Sequence, residues 1–146
     1  MPGVLGGSGP LAELERLLMV GALAVVVLVL AFAVRALVRR RVAAVIGTAT
    51  PGRLRAQLSS KGPTLVYFYG PLCVSCTDQA RVIEELVQES GTLVLRFDVT
   101  KEPALADALG AVTVPTIAVI DIAGRVRHVN LGYHPKAILA SQISIN

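Results

Sequence analysis

Residues Leu17 to Val34, LLMVGALAVVVLVLAFAV, contain no charged side chain and no Ser, Thr, Asn or Gln. As a helix this block spans about 27 Å at ~1.5 Å per residue, close to the ~30 Å hydrocarbon thickness of a bilayer. It leaves no polar face for a surface helix, so it either crosses a membrane or lies wholly inside a protein. Its length and purity favour the membrane. Ala36, Leu37 and Val38 lengthen the span when Arg35 extends its guanidinium toward the headgroups. The expected transmembrane helix is therefore 17–38. A cleavable signal peptide is the rival, since Ala31-Phe32-Ala33 resembles a small-x-small cleavage site. The preceding residues carry Glu13, Glu15 and Arg16 rather than a basic leader, which favours a retained anchor.

The formal net charge of +4 has a local source. Arg35, Arg39, Arg40, Arg41, Arg53 and Arg55 follow the apolar block, while Glu13 and Glu15 precede it. The positive-inside bias explains this clustering without a nucleic-acid partner, and none is expected. It places the C-terminal domain on the cytoplasmic side of a single-pass membrane protein, with the extracytoplasmic side as the alternative. The expected organisation is a short tail at 1–16 (disordered through residue 12), the anchor, a basic juxtamembrane linker at 39–49 and a folded domain at 50–146. RVAAVIG either extends the helix or forms a first edge strand.

Regular patterning begins at Thr50. TPGRLRAQL offers Thr50 as an N-cap, Pro51 as the first helical residue, and Leu54 and Leu58 on one face. TLVYFY, 64–69, is β-branched and aromatic and reads as a buried strand. Val82, Ile83, Leu86 and Val87 recur at helical spacing, with Glu84, Glu85 and Glu89 toward water. TLVLRFDVT is a second strand and EPALADALG a helix ended by Gly110. TIAVID and RVRHVNLG form a hairpin around IAG, and HPKAILASQI closes the chain as a helix. A strand–helix–strand unit makes a parallel pair, whereas a tight turn makes an antiparallel one. The implied fold is α/β, a mixed central sheet flanked by helices. About 95 residues suffice to bury such a core.

Both cysteines of the chain, Cys73 and Cys76, lie two residues apart between the first strand and the following helix. Strand ends in open α/β sheets are where chemistry gathers. At a helix start, free backbone N–H groups and the helix dipole favour thiolate over thiol at Cys73. Cys76 comes round to the same side, closer to the core. One exposed nucleophile and one shielded partner satisfy thiol–disulfide exchange, because a second thiol must resolve the mixed disulfide. C-x-x-C near a βαβ pattern favours this redox reading. A zinc site with His128 and His134 is the alternative, but His128 stands 52 residues after Cys76, beyond the ~12–15 spacing of a compact finger. Thr77, where c-type haem attachment needs His, removes that option, and a pair of inert cysteines stays open. The redox reading needs no cofactor and no metal.

TLVYFYGPLCVSC, followed by a helical stretch and VTVPTIAVIDIAGRV, resembles the thioredoxin superfamily, in particular its membrane-anchored members, from about residue 50 to the end. The resemblance implies a cis-proline at Pro115 beside the dithiol, with Val114 offering backbone hydrogen bonds to a substrate. It also matches Gly132 to a glycine near the active surface. The chain departs from the family pattern at several positions. Val74-Ser75 stands where thioredoxin has Gly-Pro, and Leu72 replaces a tryptophan. Tyr67 takes the place of a buried carboxylate that assists proton transfer from the second cysteine, and Arg96 that of a lysine. Tyr67 offers a hydrogen bond but is a poor base at neutral pH. Asp98 is the nearest alternative carboxylate, though a strand-end surface role suits it better. Ser75 adds a backbone N–H and a hydroxyl near Cys73, which favours the reduced form and a more oxidising protein.

The expected function is a membrane-tethered thiol–disulfide oxidoreductase acting on protein or small-molecule thiols and disulfides, with a redox partner that the sequence does not name. Cys73 and Cys76 are the catalytic pair, Val114 and Pro115 bind substrate, and Tyr67, Ser75 and Arg96 support. The competing expectation is a redox-silent interaction module at the membrane, suggested by Tyr67 and Leu72. His128, His134 and Asp78 are expected to be ordinary strand, helix-entry and first-turn residues.

Overall fold

The structure is a computed structural model that describes residues 10–144. The chain divides between Arg39 and Arg40 into two compact units. In the first, α1 (Pro10–Val45) begins and runs on into the second as one continuous helix of 36 residues. From Leu14 through Val34 its side chains are all exposed. Among the described residues this is one helix long and apolar enough to cross a membrane by length and composition. The helix begins before the expected span: residues 10–16 are helical, so Pro10, Leu11 and Ala12 are not the disordered tail expected of them. Residues 1–9 of that tail lie outside the described residues.

The second unit starts upstream of residue 50. RVAAVIG continues α1 as far as Val45 rather than forming a strand. The chain then runs beside the later hairpin: the Gly47 N–H donates to the Val126 carbonyl (2.7 Å), and the Val126 N–H donates to Thr48 (3.0 Å). Ala49 bridges Arg125. α2 is one short turn, Gly52–Arg55, with Pro51 at its N-cap. Thr50 is not the cap. Its N–H and hydroxyl both donate to the Gly124 carbonyl, at 2.9 and 3.1 Å, so the hairpin turn takes the group that a helix end would have used. Gly124 has φ +75° and approaches Thr50 closely, and an added Cβ would sit 3.4 Å from Oγ1. Glycine fits this turn because it adopts the positive φ without strain.

The remaining elements follow in the expected order: β1 (Thr64–Tyr69), α3 (Val74–Ser90), β2 (Leu93–Asp98), α4 (Pro103–Ala108), β3 (Thr116–Ile120), β4 (Val126–Leu131) and α5 (Lys136–Ser144). They form one mixed four-stranded sheet in the order β2-β1-β3-β4. β1 pairs parallel with β2 and antiparallel with β3, and β3 pairs antiparallel with β4. β1 is central and covered on both sides, which explains its unbroken apolar run. Alternate residues serve opposite faces. Leu65 and Tyr67 pack with Ile83, Leu86 and Leu139 from α3 and α5. Val66 and Phe68 pack with Leu54, Leu105 and Leu109 from α2, α4 and its C-terminal cap. This sandwich fixes the end of β1, and hence the chain that leaves it toward the cysteines.

Candidate active site

The buried residues Thr64 to Phe68 of β1 bring the chain to the exposed Tyr69, after which Gly70, Pro71 and Leu72 turn it into α3. Gly70 sits tightly, since an added Cβ would lie 3.2 Å from the Val99 side chain and 3.5 Å from that of Val114. Leu72 has φ +60°, the one non-glycine residue with a positive φ among the described residues, and its side chain is wholly exposed. An L-residue there carries about 1–2 kcal/mol of strain. The turn delivers Cys73 to the N-cap of α3 in extended conformation.

Cys73 and Cys76 are joined in a disulfide, with Cα atoms 5.3 Å apart. The two sulfurs occupy unequal surroundings. Cys73 is half-buried at the helix start, whereas Cys76 lies one turn in and is 8% exposed. The Cys76 N–H is already directed to the Cys73 carbonyl at 3.2 Å. Val74 and Ser75 face solvent between them. The other first-turn N–H groups, those of Val74 and Ser75, have no intrahelical acceptor and carry the positive end of the dipole, so an anionic sulfur at Cys73 is favoured.

Tyr67 is 2% exposed beneath this turn, and its hydroxyl donates to the Cys76 carbonyl at 2.9 Å. Burial pushes the Tyr67 pKa above the ordinary phenol value, against a smaller lowering by the Arg96 guanidinium and alongside a smaller rise from Tyr69. The phenol therefore stays protonated at neutral pH and acts here as a donor. Arg96 is Tyr67's neighbour across the β1–β2 pair, and it reaches Glu84 of α3 at 3.5 Å. These groups line an open groove of about 870 Å³ that also reaches both cysteines. Asp98 takes no part in it. Its carboxylate accepts from the Thr100 N–H (2.9 Å) and hydroxyl (2.7 Å), and those bonds, with a smaller contribution from Lys101, hold its pKa below the usual carboxylate value. Asp78 is exposed and pairs with Arg81 at 3.4 Å, but α3 starts at Val74 and has no acid in its first turn, so Asp78 lies in the second turn rather than the first turn expected of it.

Two loops form the other features of this end of the sheet. The Val114–Pro115 peptide is cis, Val114 is half-buried and Pro115 buried. Both precede β3, so neither is committed to its ladder. The Gly132 N–H donates to the Pro115 carbonyl at 2.8 Å, which joins the loop after β4 to the proline turn. His128 lies on β4 opposite Val119, and His134 lies in the loop before α5. Among the described residues no group of three His, Cys, Asp or Glu side chains is placed to hold a metal ion.

The residue that sequence reasoning missed is Gln79. It is fully buried on the inward face of α3, and its amide bonds both the N–H (2.7 Å) and the carbonyl (3.1 Å) of His134. The only signal in the sequence is its spacing, three residues after Cys76 and four before Ile83 on one helical stripe.

A family model described as Thioredoxin matches residues 45–144 of this chain. A thioredoxin of Bacillus subtilis (strain 168) is 32% identical over 88 residues, covering 59% of this chain and 84% of that protein. A thioredoxin of Synechocystis sp. is 33% identical over 88 residues, with 59% and 81% covered. Among solved structures, a mutant thioredoxin from Halobacterium salinarum NRC-1 superposes with a TM-score of 0.58 at 25% identity, covering 66% of this chain and 85% of its own.

Proposed function

This chain belongs to the thioredoxin family, and from that premise we propose a thiol–disulfide oxidoreductase tethered to a membrane through residues 17–38, with residues 50–146 as its working domain. Cys73 is the nucleophile and Cys76 the resolving thiol. In the reducing direction the Cys73 thiolate attacks one sulfur of a substrate disulfide. A Cys73–substrate disulfide forms and the substrate's other sulfur leaves as thiolate. Cys76, giving up its proton to solvent, then attacks the Cys73 sulfur, which restores the internal disulfide and releases the second substrate thiolate. Two electrons pass from the protein dithiol to the substrate, and the reverse sequence oxidises a substrate dithiol.

The carrying observation is the asymmetry of the pair: one sulfur at the helix start and partly open, the other one turn deeper and shielded. Val114 supplies main-chain hydrogen bonds to an extended substrate, and Pro115, having no N–H, leaves no donor to compete beside the sulfur. Ser75 stabilises the Cys73 thiolate, Tyr67 anchors the first turn through the Cys76 carbonyl, and Arg96 adds positive charge to the groove. The tether is supported by the all-round apolar character of residues 17–34 within α1, which a water-exposed helix would not sustain. The arginines after the span favour a cytoplasmic domain. Substrates are thiols and disulfides.

Insulin reduction by the detergent-solubilised full chain with a dithiol reductant tests this directly. Turnover that disappears in Cys73→Ser supports the oxidoreductase. Absence of turnover in the parent chain sinks it and returns the redox-silent interaction module.

A further inference from the structure

Gln79 is a polar side chain with no exposed surface, on the helix that carries the dithiol. The exchange steps above make no use of it. Its two bonds go to the main chain of a single residue 55 positions away, His134, and so do not depend on the side chain there. A planar amide that both accepts from an N–H and donates to the carbonyl of one residue fixes that segment in position and in direction. The connection continues outward. His134 Nδ1 lies 3.1 Å from the Gly132 carbonyl, and an oxygen acceptor there requires the proton on that nitrogen. The Gly132 N–H in turn donates to Pro115. A chain of hydrogen bonds thus runs from the second turn of α3, through the loop after β4, to the turn that holds Val114 and Pro115.

We propose that Gln79 is a positioning residue for protein substrates: it holds the Gly132–Pro135 loop and the Val114–Pro115 turn in register with Cys73. The proposal rests on the oxidoreductase reading above. Exchange at sulfur needs the attacking, central and leaving sulfurs nearly in line. A small disulfide reaches that geometry by its own tumbling. A disulfide within a protein is aligned by what its flanking chain touches, and the Val114–Pro115 turn borders Gly70, which lines the same groove as the two cysteines. Loosening the tie therefore affects docking rather than the reactivity of the sulfur. A purely space-filling role is distinguishable, because methionine fills nearly the same volume without either hydrogen bond.

The test uses the full chain in detergent micelles, with insulin as the protein disulfide and dithiobis(nitrobenzoate) as the small one. Gln79→Met is expected to lower kcat/KM for insulin by roughly ten-fold, mainly through KM, while turnover of the small disulfide stays within about two-fold. The pH profile of Cys73 alkylation stays in place, and the Gly132 amide exchanges faster with deuterium. His134→Ala keeps the main-chain grip but removes the Nδ1–Gly132 link, so an insulin defect smaller than that of Gln79→Met is expected, with the small disulfide within about two-fold of the parent chain. Gln79→Leu, neutral and equally without either hydrogen bond, gives a similar insulin defect, a second reading should the methionine variant fold poorly. Equal losses on both substrates, or an insulin rate unchanged in both Gln79 variants, would overturn the proposal. A parent chain inactive on both substrates sinks the oxidoreductase reading itself, an outcome distinct from variants that match an active parent.

Discussion

Replacing Ser75 by proline removes one defined donor from the neighbourhood of the reactive sulfur. Cys73 occupies the N-cap of α3, the position from which a side chain accepts from the second or third helical N–H. The third belongs to Cys76 and is already engaged with the Cys73 carbonyl. The second belongs to Ser75, which leaves it as the donor for a Cys73 thiolate. Proline fits the first helical turn without breaking intrahelical bonds, so the substitution deletes the N–H and hydroxyl with little other disturbance. A hydrogen bond to a charged group contributes about 1.5–3 kcal/mol. For a two-electron couple ~30 mV corresponds to ~1.4 kcal/mol, so the loss amounts to roughly 30–65 mV. The sign follows from which form is stabilised. The N–H favours thiolate, hence the reduced protein, and its removal makes the protein more reducing. Equilibration of Ser75→Pro and parent chain with glutathione buffers at pH 7, read by thiol alkylation, measures the shift. A change below about 10 mV, or one toward a more oxidising protein, would refute the reasoning.

Tyr67→Phe removes the hydroxyl that donates to the Cys76 carbonyl and leaves the ring packed; a loss of about 1 kcal/mol in denaturant unfolding is expected, with insulin turnover retained, and complete loss of turnover would give the phenol a larger part than anchoring. Asp98 has its pKa lowered from 3.8 by Thr100; its stabilisation is present above the unfolded pKa and lost as pH falls through the lower folded value, so Asp98→Asn should flatten the acid limb of the stability–pH curve below about pH 4 and leave its shape near neutrality unchanged. In intact cells, the reduced cysteines should resist a membrane-impermeant maleimide until the membrane is permeabilised; labelling without permeabilisation reverses the assigned orientation.

Much of the fold was legible because burial on both faces leaves a plain mark. TLVYFY and TIAVI are unbroken apolar runs, and the two central strands β1 and β3 are where they fall. The position of Cys73 followed from the same pattern, since a buried strand ending at Gly-Pro and a periodic segment starting after it leave one place for the dithiol. What sequence could not provide was long-range partnership. Thr50 looked like a helix cap because nothing local reveals that Gly124 would take its hydroxyl and N–H. Residues 42–48 have no period that separates the end of a helix from an edge strand, and the bonding of Gly47 and Thr48 to Val126 is decided by the hairpin. Gln79 lies on a stripe with Cys76, Ile83 and Leu86, yet glutamine within a helix normally faces water. Its burial is compensated by His134, which no local rule connects to it.

The account depends on Cys73 being an acidic thiol at the leading end of α3. Alkylation rates of the reduced full chain, followed site by site from pH 4 to 10, test this most directly. Cys73 should titrate well below the ~8.5 of free cysteine, with Cys76 reacting much more slowly across the range. An inflection for Cys73 at the free-cysteine value, or equal rates at the two sulfurs, would contradict it.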